Sequence, residues 1–217
     1  MGFDYFKDFK EISREVAFGI VGAQAKTIVE IGACDGDDTV RFMINFPKCK
    51  VYSVEPKPQN IASWKKKYTG NPRTSLFEGV VSDVDGTVDL YVSDDKYTGC
   101  SSIREPTKRL AERWPDMRFP QKISVQSITL DSLVKKYNID VVDFLWIDAQ
   151  GAEDKIINGG IETLNTKVKS IFIEISLEEI YSGQTLVEDM IKMLPNFEII
   201  GRFQDNLFMV NKNLRPA

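Results

Sequence analysis

The residues best able to do chemistry begin at Glu30-Ile31-Gly32-Ala33-Cys34-Asp35-Gly36, where an acid on a buried apolar run meets a glycine-bounded turn and then helical spacing. Gly32 permits a tight backbone turn, and Gly36 leaves room for a ligand against the start of the following helix. A dinucleotide fingerprint places glycines first, third and sixth; here the third position is Cys34 and the sixth Asp37. Carboxylates at Glu30 and Asp35 repel a pyrophosphate and favour an ammonium or sulfonium. The sulfonium of S-adenosylmethionine therefore suits this loop better than NAD does.

Nineteen residues past Gly36 stands Glu55, at the end of a second apolar run, where a carboxylate can accept both hydroxyls of a ribose. A third acid closes the block Asp143-Phe144-Leu145-Trp146-Ile147-Asp148-Ala149-Gln150-Gly151-Ala152-Glu153, again a buried run, then glycine, then a helix. Asp148 would share a rim with Glu30 and Glu55, or else cap the turn at Gly151. The chain has no histidine, so a general base must come from the carboxylates, with Asp148 first and Glu153 and Glu174 behind it. A divalent cation such as Mg2+, held by the oxygens of Asp148, Glu153 and Glu174, is a second route to an activated hydroxyl. Ser101 and Ser102 lie in a glycine-bearing stretch that could bond cofactor or substrate, and turn chemistry accounts for them equally well. Tyr97 and Trp114 either stand as surface aromatics or offer a platform for a sugar ring.

These groups require strands that end at one rim. Thr27–Ile31 and Lys50–Val54 are β-branched runs separated by helical spacing over Asp37–Phe46, the length of one βαβ unit. A helix is expected over Gln59–Tyr68, a strand over Thr74–Glu78, and a hairpin over Val80–Asp94 turning at Asp85-Gly86. Further strands are expected at Ile123–Ile128, Val142–Ile147 and Ser170–Ile175, with helices after Thr129 or Asp131, after Gly151 and over Gln184–Leu194. A closing antiparallel pair, Phe197–Phe203 with Leu207–Asn211, turns at Gln204-Asp205-Asn206. Ahead of all this, Phe6, Phe9, Ile12, Val16 and Ile20 form the apolar stripe of a leading helix within residues 1–22. Residues 96–121, with three prolines and little periodicity, read as a lid or substrate loop.

Composition narrows the classes. With 217 residues, 42% hydrophobic and 28% charged, the chain is long enough for one α/β domain over 1–217 but not for two catalytic domains. A net charge of −4 supplies no field for a phosphate backbone, and Lys65-Lys66-Lys67 and Lys135-Lys136 read as solvated helix faces, so no nucleic-acid partner is expected. Cys34, Cys49 and Cys100 have no CxxC spacing, which argues for a reducing, cytoplasmic setting and against a zinc knuckle. The opening residues carry mixed charge and no membrane span. Met1-Gly2 has the form of a myristoylation start, but Phe6 stands where serine or threonine is wanted.

In order and spacing, these blocks resemble the FkbM family of S-adenosylmethionine-dependent methyltransferases from Thr27 to about Ile175. The resemblance runs through the glycine turn, Val54-Glu55-Pro56, Val81-Ser82-Asp83-Val84-Asp85-Gly86, Ser101-Ser102, Ile128-Thr129-Leu130-Asp131 and Ile147-Asp148 with Gly151-Ala152-Glu153. It implies a class I methyltransferase sheet, Rossmann-like and doubly wound, of about seven strands with an antiparallel last pair. It also implies methyl transfer to a hydroxyl oxygen of a sugar, glycan or related small molecule. The expected cofactor contacts are Glu30, Gly32, Ala33, Cys34, Asp35, Gly36, Thr39, Glu55, Pro56, Val81, Ser82, Ser101 and Asp148. Three positions depart from the family pattern: Trp146 and Gln150 replace its usual lysine and glutamate, and Cys34 replaces the central glycine of the first turn. The competing readings are a noncatalytic module that binds S-adenosylmethionine or a partner, and an NAD(P)-linked oxidoreductase.

Overall fold

A computed structural model describes residues 5–215, apart from the side chain of Phe6. The Met1-Gly2 reading, and the place of Phe6 in the leading stripe, lie outside the described residues. The chain opens with α1 (Tyr5–Asp8) and α2 (Arg14–Val21), then runs through β1 (Thr27–Ile31), α3 (Asp37–Asn45), β2 (Lys50–Glu55), α4 (Pro58–Tyr68) and β3 (Thr74–Glu78). Next come β4 (Val80–Ser82), β5 (Gly86–Val92), α5 (Lys108–Arg113), β6 (Gln121–Thr129) and α6 (Leu130–Lys136). It closes with β7 (Phe144–Ile147), α7 (Glu153–Asn158), α8 (Ile161–Thr166), β8 (Ser170–Glu174), α9 (Val187–Met193), β9 (Phe197–Phe203) and β10 (Asn206–Asn211).

The main sheet has seven strands in the order β3-β2-β1-β7-β8-β10-β9. Its first five are mutually parallel, and β10 runs antiparallel to both β8 and β9. The chain starts at β1, winds outward to β3, and returns to lay β7 on the other side of β1. The order therefore reverses between β1 and β7, and a crevice is expected beyond their carboxyl ends. Side chains alternate across β1: Val29 and Ile31 pack with Leu145, Ile147 and Ile173 on one face, while Ile28 packs with Phe42, Phe144 and Phe208 on the other. Both faces are covered, which is why these strands read as continuous apolar runs.

Two expectations fail. The leading stripe is not one helix: Ile12 N–H donates to the Arg202 carbonyl (2.8 Å) and Arg202 N–H to the Lys10 carbonyl (2.9 Å), so this segment lies extended beside β9. Ser13 then caps α2, which buries Ala17, Phe18 and Val21 and leaves Val16 48% exposed. Nor does Val80–Asp94 form a hairpin. A separate sheet has the order β4-β6-β5, with β6 parallel to β4 and antiparallel to β5. The Asp85-Gly86 turn docks on the end of β6 instead, where the Asp85 carboxylate accepts from Thr129 N–H (2.7 Å) and the Ser132 hydroxyl (2.7 Å).

Residues 96–121 are anchored at several points. Just ahead of residue 96, the ammonium of fully buried Lys57 donates to the carbonyls of Ser93 (2.9 Å) and Asp94 (3.2 Å), which fixes the entry to the segment. Arg104 grips Asp154 through two bonds (2.8 and 2.7 Å) and also donates to the Ser182 carbonyl (3.0 Å). The Tyr181 hydroxyl donates to the Cys100 carbonyl (3.0 Å). This strap lies over the carboxyl ends of the central strands.

Candidate active site

The crevice at the reversal point is a cavity with an empty volume of about 640 Å³. β1 contributes Ile31 and the turn after it Gly32, β2 contributes Val54 and Glu55, and the turn after β7 contributes Asp148 and Ala149; the strap adds Thr98, Gly99 and Ser101. Gly32 is required here, because its φ of +88° is left-handed and an added Cβ would lie 1.9 Å from the Asp148 carbonyl oxygen. The close approach brings the two turns together. Cys34 also has positive φ (49°), and its N–H donates to Glu55 Oε2 (2.8 Å), which ties the first turn to the end of β2.

Glu55 is 4% exposed, and its other oxygen accepts from Lys57 N–H (2.9 Å) and Asn60 Nδ2 (3.1 Å). Burial pushes its carboxyl up to about 7, against these stabilising bonds. Asp148 Oδ1 accepts from Gln150 Nε2 (2.7 Å), and the same amide nitrogen donates to Glu174 Oε2 (3.0 Å). Burial raises both carboxyls, and the charge of Asp148 raises Glu174 further. The two acids, joined through the Gln150 amide, thus titrate as a pair whose affinity for a proton is raised above that of separate carboxylates. Gln150 holds this arrangement from a left-handed backbone (φ 52°), with its carbonyl taken by the Ser102 hydroxyl (2.7 Å).

Of the expected cofactor contacts, Gly32, Cys34, Glu55, Pro56, Val81, Ser101 and Asp148 line this cavity. Others face elsewhere. Glu30 is 0% exposed beneath the turn, where its Oε2 accepts from Thr39 (2.5 Å) and Ser53 (2.5 Å). Thr39 is thereby committed to Glu30 and, as acceptor, to Trp64 Nε1 (3.1 Å). Asp35 pairs with Lys67 (2.8 Å), and Ala33 packs on Trp64 and Tyr68. Gly36 leaves room for side chains and not for a ligand: a Cβ there would meet Tyr68 at 2.5 Å and Trp64 at 2.9 Å. The Ser82 hydroxyl donates to Asp83 (2.9 Å).

The oxygen-ligand set expected for Mg2+ does not assemble. Glu153, 2% exposed, turns its Oε1 back to Ala149 N–H (2.9 Å) and Gly151 N–H (3.3 Å), pinning the turn that carries Asp148. Among the described residues no grouping of three or more histidine, cysteine or acidic side chains is placed to hold a metal ion. Sequence reading missed Asn60, a buried amide one helical turn beyond Glu55 that bonds both Glu55 and the Thr98 carbonyl (3.0 Å). It also missed the apolar wall of Val80, Leu90 and Ile103. A buried asparagine on an apolar helix face was the available signal for the first; the wall depends on the second sheet's pairing.

The donor set fits S-adenosylmethionine. No described residue lining the cavity carries a positive charge, two carboxylates do line it, and one wall is apolar. Such a surface disfavours a pyrophosphate and accepts a cationic nucleoside with an uncharged base.

Comparison with known proteins agrees. A family model described as a methyltransferase FkbM domain matches residues 30–201. The 2-O-methyltransferase NoeI of Sinorhizobium fredii is 35% identical over 182 residues, covering 81% of this chain and 74% of its own. Among solved structures, a methyltransferase FkbM from Methylobacillus flagellatus superimposes with a TM-score of 0.55 at 13% identity. That match covers 86% of this chain, which spans 44% of that longer one. A putative rRNA-methylase from Clostridium thermocellum gives 0.50 at 11% identity, over 92% and 94% of the two chains. At such identities the structural matches establish the fold, a class I methyltransferase sheet. The chain belongs to the FkbM family of S-adenosylmethionine-dependent methyltransferases.

Proposed function

We infer that this methyltransferase acts on a hydroxyl group of a carbohydrate, and does so in the cytoplasm. The observation that carries the reading is the Asp148–Gln150–Glu174 cluster, a carboxylate pair of raised proton affinity beside the cavity that fits the methyl donor. A 35% identical relative named as a 2-O-methyltransferase supports oxygen as the acceptor atom. All three cysteines are free thiols, which suits a reducing compartment. Among the described residues no helix is long and apolar enough to cross a membrane.

Bound S-adenosylmethionine supplies an electrophilic methyl on a sulfonium. Glu55 and Asn60 would hold its ribose, and Val81, Leu90 and Ile103 would cover its base. Asp148 is the catalytic base: held by the Gln150 amide, it takes the acceptor hydroxyl's proton as the oxygen attacks in line. Glu174, joined to Asp148 through the same amide, is the second acid of the pair. Glu153 is a positioning residue, fixing the backbone on either side of Gln150. Without histidine or a cationic side chain in the cavity, the chemistry is that of carboxylates alone.

The test is transfer of labelled methyl groups to a panel of oligosaccharides, with calorimetry for the donor. Asp148→Asn should lower kcat by about 10²- to 10⁴-fold while the Kd for S-adenosylmethionine stays within about threefold of wild type. Unchanged turnover removes Asp148 from the mechanism. Binding without transfer to any acceptor would favour the noncatalytic module, and tighter binding of NAD would favour the oxidoreductase.

A further inference from the structure

A second cavity, with an empty volume of about 1220 Å³, opens beside the first and shares Gln150 with it. The strap segment Tyr97–Ile103 is the partition. Thr98, Gly99, Ser101 and Ile103 line the first cavity, while Tyr97 and Cys100 line the second. Beneath the partition the floor runs from Asp148 in the first cavity, through the Gln150 amide that bonds both acids, to Glu174 in the second. A group in the second cavity therefore meets the donor cavity over the base pair itself.

The walls specify a chemistry. Tyr97, Trp114 and Tyr181 supply aromatic surface, suited to the apolar faces of a sugar ring. Among the described residues the cavity's lining cation is Arg113, which lies over one face of the Trp114 ring (4.9 Å) and shares Glu178 with Arg109 (2.5 and 2.8 Å), while Arg109 also stands 3.6 Å from Glu112, so two acids balance the two guanidiniums. The inner end presents Glu174 and the exposed turn beside it adds Asp205, and no described lining residue other than Arg113 is a cation. A uronate or phosphorylated sugar would bring its charge against these acids, whereas an uncharged ring loses nothing there.

Resting on the carbohydrate reading above, we propose that this second cavity is the acceptor subsite and that it selects an uncharged carbohydrate ring, packed on Trp114 and Tyr97, against anionic sugars. Trp114 and Asp205 are then specificity-determining residues. Neither belongs to the donor cavity.

The experiment measures kcat and KM on an array of neutral oligosaccharides and their uronate counterparts, alongside the Kd for S-adenosylmethionine. Wild type should methylate neutral acceptors with a kcat/KM at least tenfold above the matched uronates, and the gap should shrink at 1 M salt. Trp114→Ala should raise acceptor KM tenfold or more with the donor Kd unchanged, and Trp114→Phe should recover most of the loss. Asp205→Lys, on an exposed turn, should narrow the neutral-to-uronate gap at least threefold, so the proposal stays testable if the Trp114 variants fold poorly. Equal use of uronates, or a KM indifferent to Trp114 and a preference indifferent to Asp205, refutes the subsite while leaving carbohydrate methylation standing. Donor binding with no glycan methylated refutes the carbohydrate reading and the ligand class assigned to this cavity together.

Discussion

Replacing Glu30 by glutamine should make the stability curves of the two proteins cross as pH rises. Glu30 is 0% exposed; one oxygen accepts from Thr39 and Ser53, and the other, Oε1, has no hydrogen-bond partner. Burial raises its carboxyl from 4.5 to about 8. A folded-state value above the unfolded one means the folded protein binds the extra proton, so stability is greatest below about pH 4.5, falls as pH rises, and levels off above about pH 8. That interval corresponds to roughly 5 kcal/mol. Glu55 and Glu153, each pushed up to about 7, add slope of the same sign up to that pH. In Glu30→Gln the carboxamide oxygen can still accept from Thr39 and Ser53. Its NH2 group, standing where Oε1 lacked a partner, costs about 1–3 kcal/mol at every pH. The variant should therefore be less stable than wild type at pH 5 and more stable by roughly 2–4 kcal/mol at pH 8.5. Urea melts between those pH values, with the m-value checked for constancy, give the measurement. Parallel curves for the two proteins would refute the claim that Glu30 is buried as a proton-binding group.

Three further outcomes follow from distances already given. Gly32→Ala places a Cβ 1.9 Å from the Asp148 carbonyl at a left-handed φ, and should cost at least about 3 kcal/mol in a denaturant melt; a loss under 1 kcal/mol would mean the two turns can separate freely. Arg104→Ala removes the well-buried partner of Asp154 and should cost about 3 kcal/mol, with amide exchange accelerated first in residues 96–107; uniform exchange would deny that Arg104 anchors the strap. Gln150→Glu replaces the donor shared by Asp148 and Glu174 with a third carboxylate. The acid limb of its kcat/KM profile should then move upward by about one pH unit or more, and an unmoved limb would remove Gln150 from the control of the base.

The sheet was legible because its strands are short β-branched runs between helical spacings: Thr27–Ile31 and Thr74–Glu78 have the boundaries read from sequence, and the closing antiparallel pair stands within one residue of them. The leading helix was not, because pairing of residues 10–12 with β9 is set by residues nearly two hundred positions away. The hairpin failed for the same reason: β6, which separates β4 from β5, arrives after the whole strap has been laid down. Within the site, Glu55 and Asp148 were legible from strand ends alone, whereas Glu30 and Gly36 show where that rule stops. Side chains on a strand alternate, so with Ile31 lining the cavity Glu30 must face the opposite side, toward Thr39 on α3. Gly36 is small for the sake of Trp64 and Tyr68, which no spacing near Gly36 reveals. An acid at the end of a central strand is thus a site residue only when its parity matches the turn that follows. By that criterion Glu30 works from beneath, linking β1 to α3 and β2, and the chemistry at the rim falls to Glu55 and Asp148.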